Sequence, residues 1–135
     1  MKTLIKNKKY LNQKIDFTGL ENNNIHPSDI DAVLEFDNDV LILIEVKFKD
    51  KQIPVGQKYM LQNIVDSWHT GKAVVLKLSH NFLDDVQFIP LVECKVEEVY
   101  YKGVWQKAKI TNFINHLNGI GEIFDCKKLK FEQKT

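Results

Sequence analysis

Three adjoining stretches constrain this chain more than anything else in it: Pro27-Ser28-Asp29-Ile30-Asp31-Ala32-Val33-Leu34-Glu35-Phe36, the break Asp37-Asn38-Asp39, and Val40-Leu41-Ile42-Leu43-Ile44-Glu45-Val46-Lys47-Phe48. Two apolar runs around a polar break read as a β-hairpin. Each run nevertheless carries charge, which a strand buried on both faces should not. Glu45 and Lys47 stand inside a Leu/Ile/Val run, where an unpaired carboxylate or ammonium is costly. Each needs a partner. A divalent metal and a phosphate would serve, and the plainer alternative is an ion pair at a sheet edge.

Side chains alternate faces along a strand, so the hairpin register can be worked out. A three-residue loop, Asp37 to Asp39, closing on Phe36 and Val40 places Asp31 opposite Glu45 and Asp29 opposite Lys47. The other face is then Ile30, Ala32, Leu34 and Phe36 against Ile42, Ile44, Val46 and Phe48, all apolar. A two-residue loop at Asn38-Asp39 would bury the aspartates among Ile and Val, and is rejected on that ground.

The rest of the chain reads as one domain over residues 1–135, long enough to bury a core without staples. Leu4, Ile5 and Leu11 among lysines up to Lys14 suggest a short basic helix, and Gly19 with Asn22-Asn23-Asn24 a loop. Gln57 to His69 has helical spacing, stopped by Gly71, and Ala73 to Leu78 is a buried strand, so a crossover joins parallel strands. Ser79 to Asp85 reads as a loop containing His80. Val86 to Tyr101 is β-prone but broken by Pro90, and Lys102-Gly103 turns into Val104-Trp105. Ile110, Phe113, Ile114 and Leu117 mark a helix, capped by Thr111 and ending near Gly119. The tail Lys127-Lys128-Leu129-Lys130 is basic. A net charge of +1 neither supplies nor excludes a local basic face for nucleic acid. No run approaches a membrane span. Cys94 and Cys126 read as reduced thiols of a cytoplasmic protein.

Pro27-Ser28-Asp29-Ile30-Asp31 and Glu45-Val46-Lys47 together resemble the "PD" and E-x-K strands of the PD-(D/E)XK nuclease superfamily. Small phage and prophage proteins with a "DID … E-x-K … GQ" pattern are similar, Gly56-Gln57 completing the pattern here, and archaeal junction resolvases are similar around the E-x-K strand. The chain has two further E-x-K copies. Glu132-Gln133-Lys134 has no strand around it, and Glu93-Cys94-Lys95 has no hairpin turn between it and the acids Asp84 and Asp85.

The resemblance implies an α/β protein with a restriction-endonuclease-like αβββαβ-type core, its mixed central sheet flanked by helices, followed by a C-terminal β-hairpin and helix. It implies Mg²⁺- or Mn²⁺-dependent hydrolysis of DNA in the cytoplasm of a bacterial host. Asp31 and Glu45 supply carboxylates and Val46 its backbone carbonyl to the metal, since Mg²⁺ takes one or two carboxylates and keeps waters. Lys47 orients the attacking water or stabilises the pentacovalent state, and Gln57 lies at a helix start that favours a nearby phosphate. Asp29, Glu21 and His80 are accessory candidates, and Lys49, Lys51 and Lys58 are candidates for DNA phosphates. Two alternatives stay open: a branched-DNA resolvase acting as a homodimer, and a non-catalytic DNA- or partner-binding module of the same fold.

Overall fold

A computed structural model describes residues 14–20 and 27–132. Over these residues the chain is α/β, with a mixed five-stranded sheet in the order β1-β2-β3-β4-β5 and two α-helices. β1 (Ala32–Phe36) and β2 (Val40–Phe48) form the hairpin. Their antiparallel register runs from Phe36 opposite Val40 to Ala32 opposite Ile44, as the three-residue loop requires. The turn works because Asp37 and Asn38 both take positive φ, a conformation that Asp and Asn tolerate better than most residues. The Asp39 N–H closes it on the Phe36 carbonyl at 2.9 Å.

From β2 the chain crosses through α1 (Val55–Asp66) to β3 (Ala73–His80), which lies parallel to β2. α1 begins two residues before Gln57 and stops three residues short of His69. The Trp68 side chain leaves the helix to donate from Nε1 to the Asp39 carbonyl at 2.8 Å, and Gly71 turns the chain at φ +74°. β3 runs on through Ser79 and His80 rather than ending at Leu78, because β2 continues beside it: Lys47 pairs with Ser79 and Phe48 with His80.

β4 (Lys95–Tyr101) and β5 (Val104–Lys107) form a second hairpin across Lys102-Gly103, both at positive φ. Residues before Lys95 are not strand. Ser79 already pairs with Lys95 near the end of β3, so the upstream residues have no strand to join, and Leu91–Glu93 close a 3₁₀ turn after Pro90. α2 (Phe113–Ile123) is capped by Asn112, whose side chain accepts from the Asn115 N–H, and not by Thr111. The Thr111 carbonyl is taken by the Val96 N–H at 2.9 Å. α2 also continues through Gly119.

The described residues thus run β-β-α-β-β-β-α, with two strands rather than three before α1. The expected basic N-terminal helix lies outside them, Lys14 apart, as does Glu21. No helix among them is long and apolar enough to cross a membrane.

The sheet buries both faces. Ile42, Ile44, Leu76, Leu78 and Val96 pack under α2 through Phe113, Leu117 and Ile120, while Leu41, Leu43, Val75 and Tyr100 pack under α1 through Leu61 and Val65. The Tyr100 hydroxyl ties the end of α1 to β4 by donating to Asp66 at 2.8 Å. One glycine is fixed by close approach: a Cβ on Gly121 would collide with the Leu129 carbonyl. Gly121→Ala should therefore cost about 1–3 kcal/mol through overpacking, read as a lower urea midpoint; Gly119→Ala, with open space around it, should be neutral or stabilising.

Candidate functional site

β1 begins one residue too late for Asp31 to be part of the ladder, and that late start builds the site. Where a further β1 residue would have bonded to β2, the Asp31 side chain takes over, its Oδ2 accepting the Val46 N–H at 2.7 Å. A residue's N–H and C=O leave the same edge of a strand, so the Val46 carbonyl is directed to this edge as well. The next residue back, Ile30, packs on the α1 side with Leu41 and Leu43, not on the α2 side where strict alternation would put it.

Glu45 projects from β2 towards α1 and is 1% exposed. Gln57, in the first turn of α1, donates from Nε2 to Glu45 Oε2 and also, at 3.3 Å, to the Asp29 carbonyl. One amide therefore clamps the carboxylate strand to the segment that carries both aspartates. Burial pushes the Glu45 carboxyl up to about 8, helped by a hydrogen bond with Asp31, the Asp31 charge and the Asp29 charge; Lys47 pulls the other way. Near neutral pH without metal, these influences favour the protonated form of the Glu45 carboxyl.

The structure brings Asp31, Glu45, the Val46 carbonyl edge and Gln57 together, with Asp29 and Lys47 near enough to act on Glu45 by charge. It does not form the expected Asp29–Lys47 ion pair: neither ion pair among the described residues includes them, because pairing stops at Ala32 and Ile44. His80 is not at the site. It continues the alternation of Leu76 and Leu78 on the α2 face, its ring against Phe48 and Phe82 at 5.5 and 5.8 Å. Lys58 is turned away, its Nζ 4.9 Å from the centre of the Trp105 ring. Lys49 lies over Phe48 at 5.1 Å, and Lys51 is exposed in the following loop.

The donor set suits a hard divalent cation. Among the described residues no three His, Cys, Asp or Glu side chains form a ready cage, but Mg²⁺ requires only one or two carboxylates, completing its shell with water and substrate oxygens. Two neighbouring carboxyl groups are oxygen donors that a dication can draw together as the proton on Glu45 leaves.

Sequence reasoning missed the neighbouring polar row. Glu45 pairs with Lys77 on β3, Lys77 with Glu98 on β4, and Glu98 with Lys107 on β5. Lys77 is 3% exposed. The signal was the one that singled out Glu45, a charge inside the apolar run Ala73 to Leu78. Compared with protein-family models, curated proteins and solved structures, the chain gives no match.

Gln57→Ala should separate the site from the scaffold. The lost hydrogen bond is worth about 0.5–1.5 kcal/mol of stability, whereas releasing Glu45 disorders the donor set. Any cleavage rate should fall by roughly tenfold or more, as commonly follows when a group that orients a metal-binding carboxylate is lost. An unchanged rate would leave Gln57 as a helix-start residue only.

Proposed function

We propose that this protein is a metal-dependent deoxyribonuclease that hydrolyses phosphodiester bonds at the Asp31–Glu45–Lys47 cluster. The observation carrying the reading is the buried Glu45 carboxyl, set against Asp31 and raised to about 8. Burying the Glu45 carboxyl beside the exposed Asp31 carboxyl costs the fold free energy, through desolvation and like charge. A cation site gains by it.

Asp31 and Glu45 offer carboxylate oxygens and Val46 its carbonyl. Mg²⁺ or Mn²⁺ held there would lower the pKa of a water and offset charge developing on the phosphoryl oxygens. Lys47, one residue beyond the Val46 carbonyl, presents its ammonium to the attacking water or to the phosphoryl group as negative charge grows. Gln57 fixes Glu45, and the start of α1 offers free N–H groups to a phosphate. The phage-encoded, intracellular setting belongs to the same reading; cleavage of branched DNA by a homodimer is the alternative to it among enzymes.

The test is incubation of purified protein with linear, nicked, single-stranded and four-way-junction DNA in Mn²⁺ and in EDTA. Cleavage of at least one form, in Mn²⁺ only, is expected. No cleavage together with no Mn²⁺ binding would replace this reading by that of a non-catalytic binding module.

A further inference from the structure

We infer that the cleft beside the carboxylate pair, centred on Lys77, is a phosphoryl-binding site that seats a DNA phosphate next to the one being cut. The inference rests on the nuclease reading for the identity of the strand; the binding of a phosphoryl group rests on the cleft itself.

Lys77 is the carrying observation. It is 3% exposed, flanked by Glu45 and Glu98 in the ladder, yet it belongs to neither ion pair among the described residues. An ammonium without a closely paired anion, on a residue whose stem is buried, is open to an added anion. Its side chain instead lines a cleft of about 640 Å³. Around the same cleft stand Lys49, Lys95 and Lys107, with Asp50, Glu97 and Glu98 as its carboxylates, four lysines against three acids. Glu97 is held by Ser79, whose Oγ donates to it at 2.6 Å, so that carboxylate is engaged elsewhere and not on Lys77. Lys77 is the most buried of the four lysines, and it lines the cleft.

The position suits a strand running across the sheet. Lys47, Ser79 and Lys95 are successive partners on β2, β3 and β4, with roughly 4.8 Å between neighbouring strands. A nucleic acid strand with one phosphate at Lys47 passes its next phosphates over the cleft, where Lys77 lies beneath and Lys95 beside. Charge-assisted hydrogen bonds to phosphoryl oxygens satisfy the ammonium that the protein leaves unpaired.

The experiment uses the full chain in EDTA, so that cleavage plays no part. A fluorescein-labelled single-stranded dodecanucleotide is titrated by anisotropy against wild type, Lys77→Met and Lys95→Gln, and unlabelled pyrophosphate is added as competitor. Lys77→Met should weaken strand binding by about tenfold or more, the value of one charge-assisted bond, with a melting temperature equal to or above wild type. Lys95→Gln, at an exposed position, should weaken it several-fold without touching the fold. Wild-type affinity in both variants overturns the inference; if Lys77→Met does not fold, wild-type affinity in Lys95→Gln alone overturns it. Lys77-dependent binding of pyrophosphate but not of the strand overturns the assignment to DNA. Lys77-dependent strand binding by a protein that never cuts in Mn²⁺ upholds the cleft and removes the nuclease reading. Normal cleavage with unaltered strand binding in both variants does the reverse.

Discussion

Replacing Glu45 by glutamine should abolish Mn²⁺-dependent cleavage while leaving the protein folded and, at high pH, more stable than wild type. Lewis-acid stabilisation is worth several kcal/mol, so losing a ligand should cost about a thousandfold or more in rate. The effect on stability follows from the raised Glu45 carboxyl. The folded protein keeps that proton up to pH about 8, whereas in the unfolded chain it leaves near the ordinary value of 4.5. Between those values the native state binds more protons, so stability falls as pH rises. The contribution is fully present below about 4.5 and gone above about 8. Its limit is on the order of 4–5 kcal/mol at about 1.4 kcal/mol per unit. Glutamine does not titrate. Melting in EDTA from pH 5 to pH 9 should therefore show a falling curve for wild type and a flatter one for Glu45→Gln. Lys47→Ala should also stop cleavage, but should push the Glu45 carboxyl higher still, because the lysine charge now pulls it down. Retained cleavage in either variant would contradict the mechanism.

Asp31→Asn and Asp29→Asn should differ by more than any other neighbouring pair. Asp31 raises the Glu45 carboxyl by its hydrogen bond and charge, and its side chain accepts the Val46 N–H; asparagine can still accept that N–H through its carbonyl oxygen, so the fold survives while one anionic donor is lost. Calorimetric Mn²⁺ affinity should drop by about a hundredfold, at the upper end of what site substitutions commonly cost. Asp29 reaches the site through its backbone carbonyl, which bonds to Gln57, and through charge alone. Asp29→Asn should leave Mn²⁺ bound and slightly lower the Glu45 carboxyl. The opposite ranking would move the metal-binding aspartate to Asp29.

The hairpin was legible because alternation, turn chemistry and charge agreed on one register. Two of those signals failed elsewhere for identifiable reasons. Alternation predicted an Asp29–Lys47 contact, but it presumes that pairing continues, and β1 begins only at Ala32. Strand propensity drew Val86 to Cys94 into the sheet, yet strand formation needs a partner, and β3 has run out by His80. Helix ends were misjudged where tertiary contacts decide them: Trp68 leaves α1 to reach Asp39, and Gly119 stays within α2. Lys77 escaped notice because its local sequence is that of a buried strand. Its meaning appears only when β2, β3 and β4 stand side by side and it is seen between Glu45 and Glu98.

The most direct measurement is a crystal of the wild-type protein soaked in Mn²⁺ above pH 8, with data collected at the manganese edge. A single anomalous peak within coordination distance of both an Asp31 and a Glu45 carboxylate oxygen, about 2.0–2.3 Å for a hard dication, is the expected result. A peak away from this pair, or none at saturating Mn²⁺, would contradict the assignment of a catalytic metal site to Asp31 and Glu45.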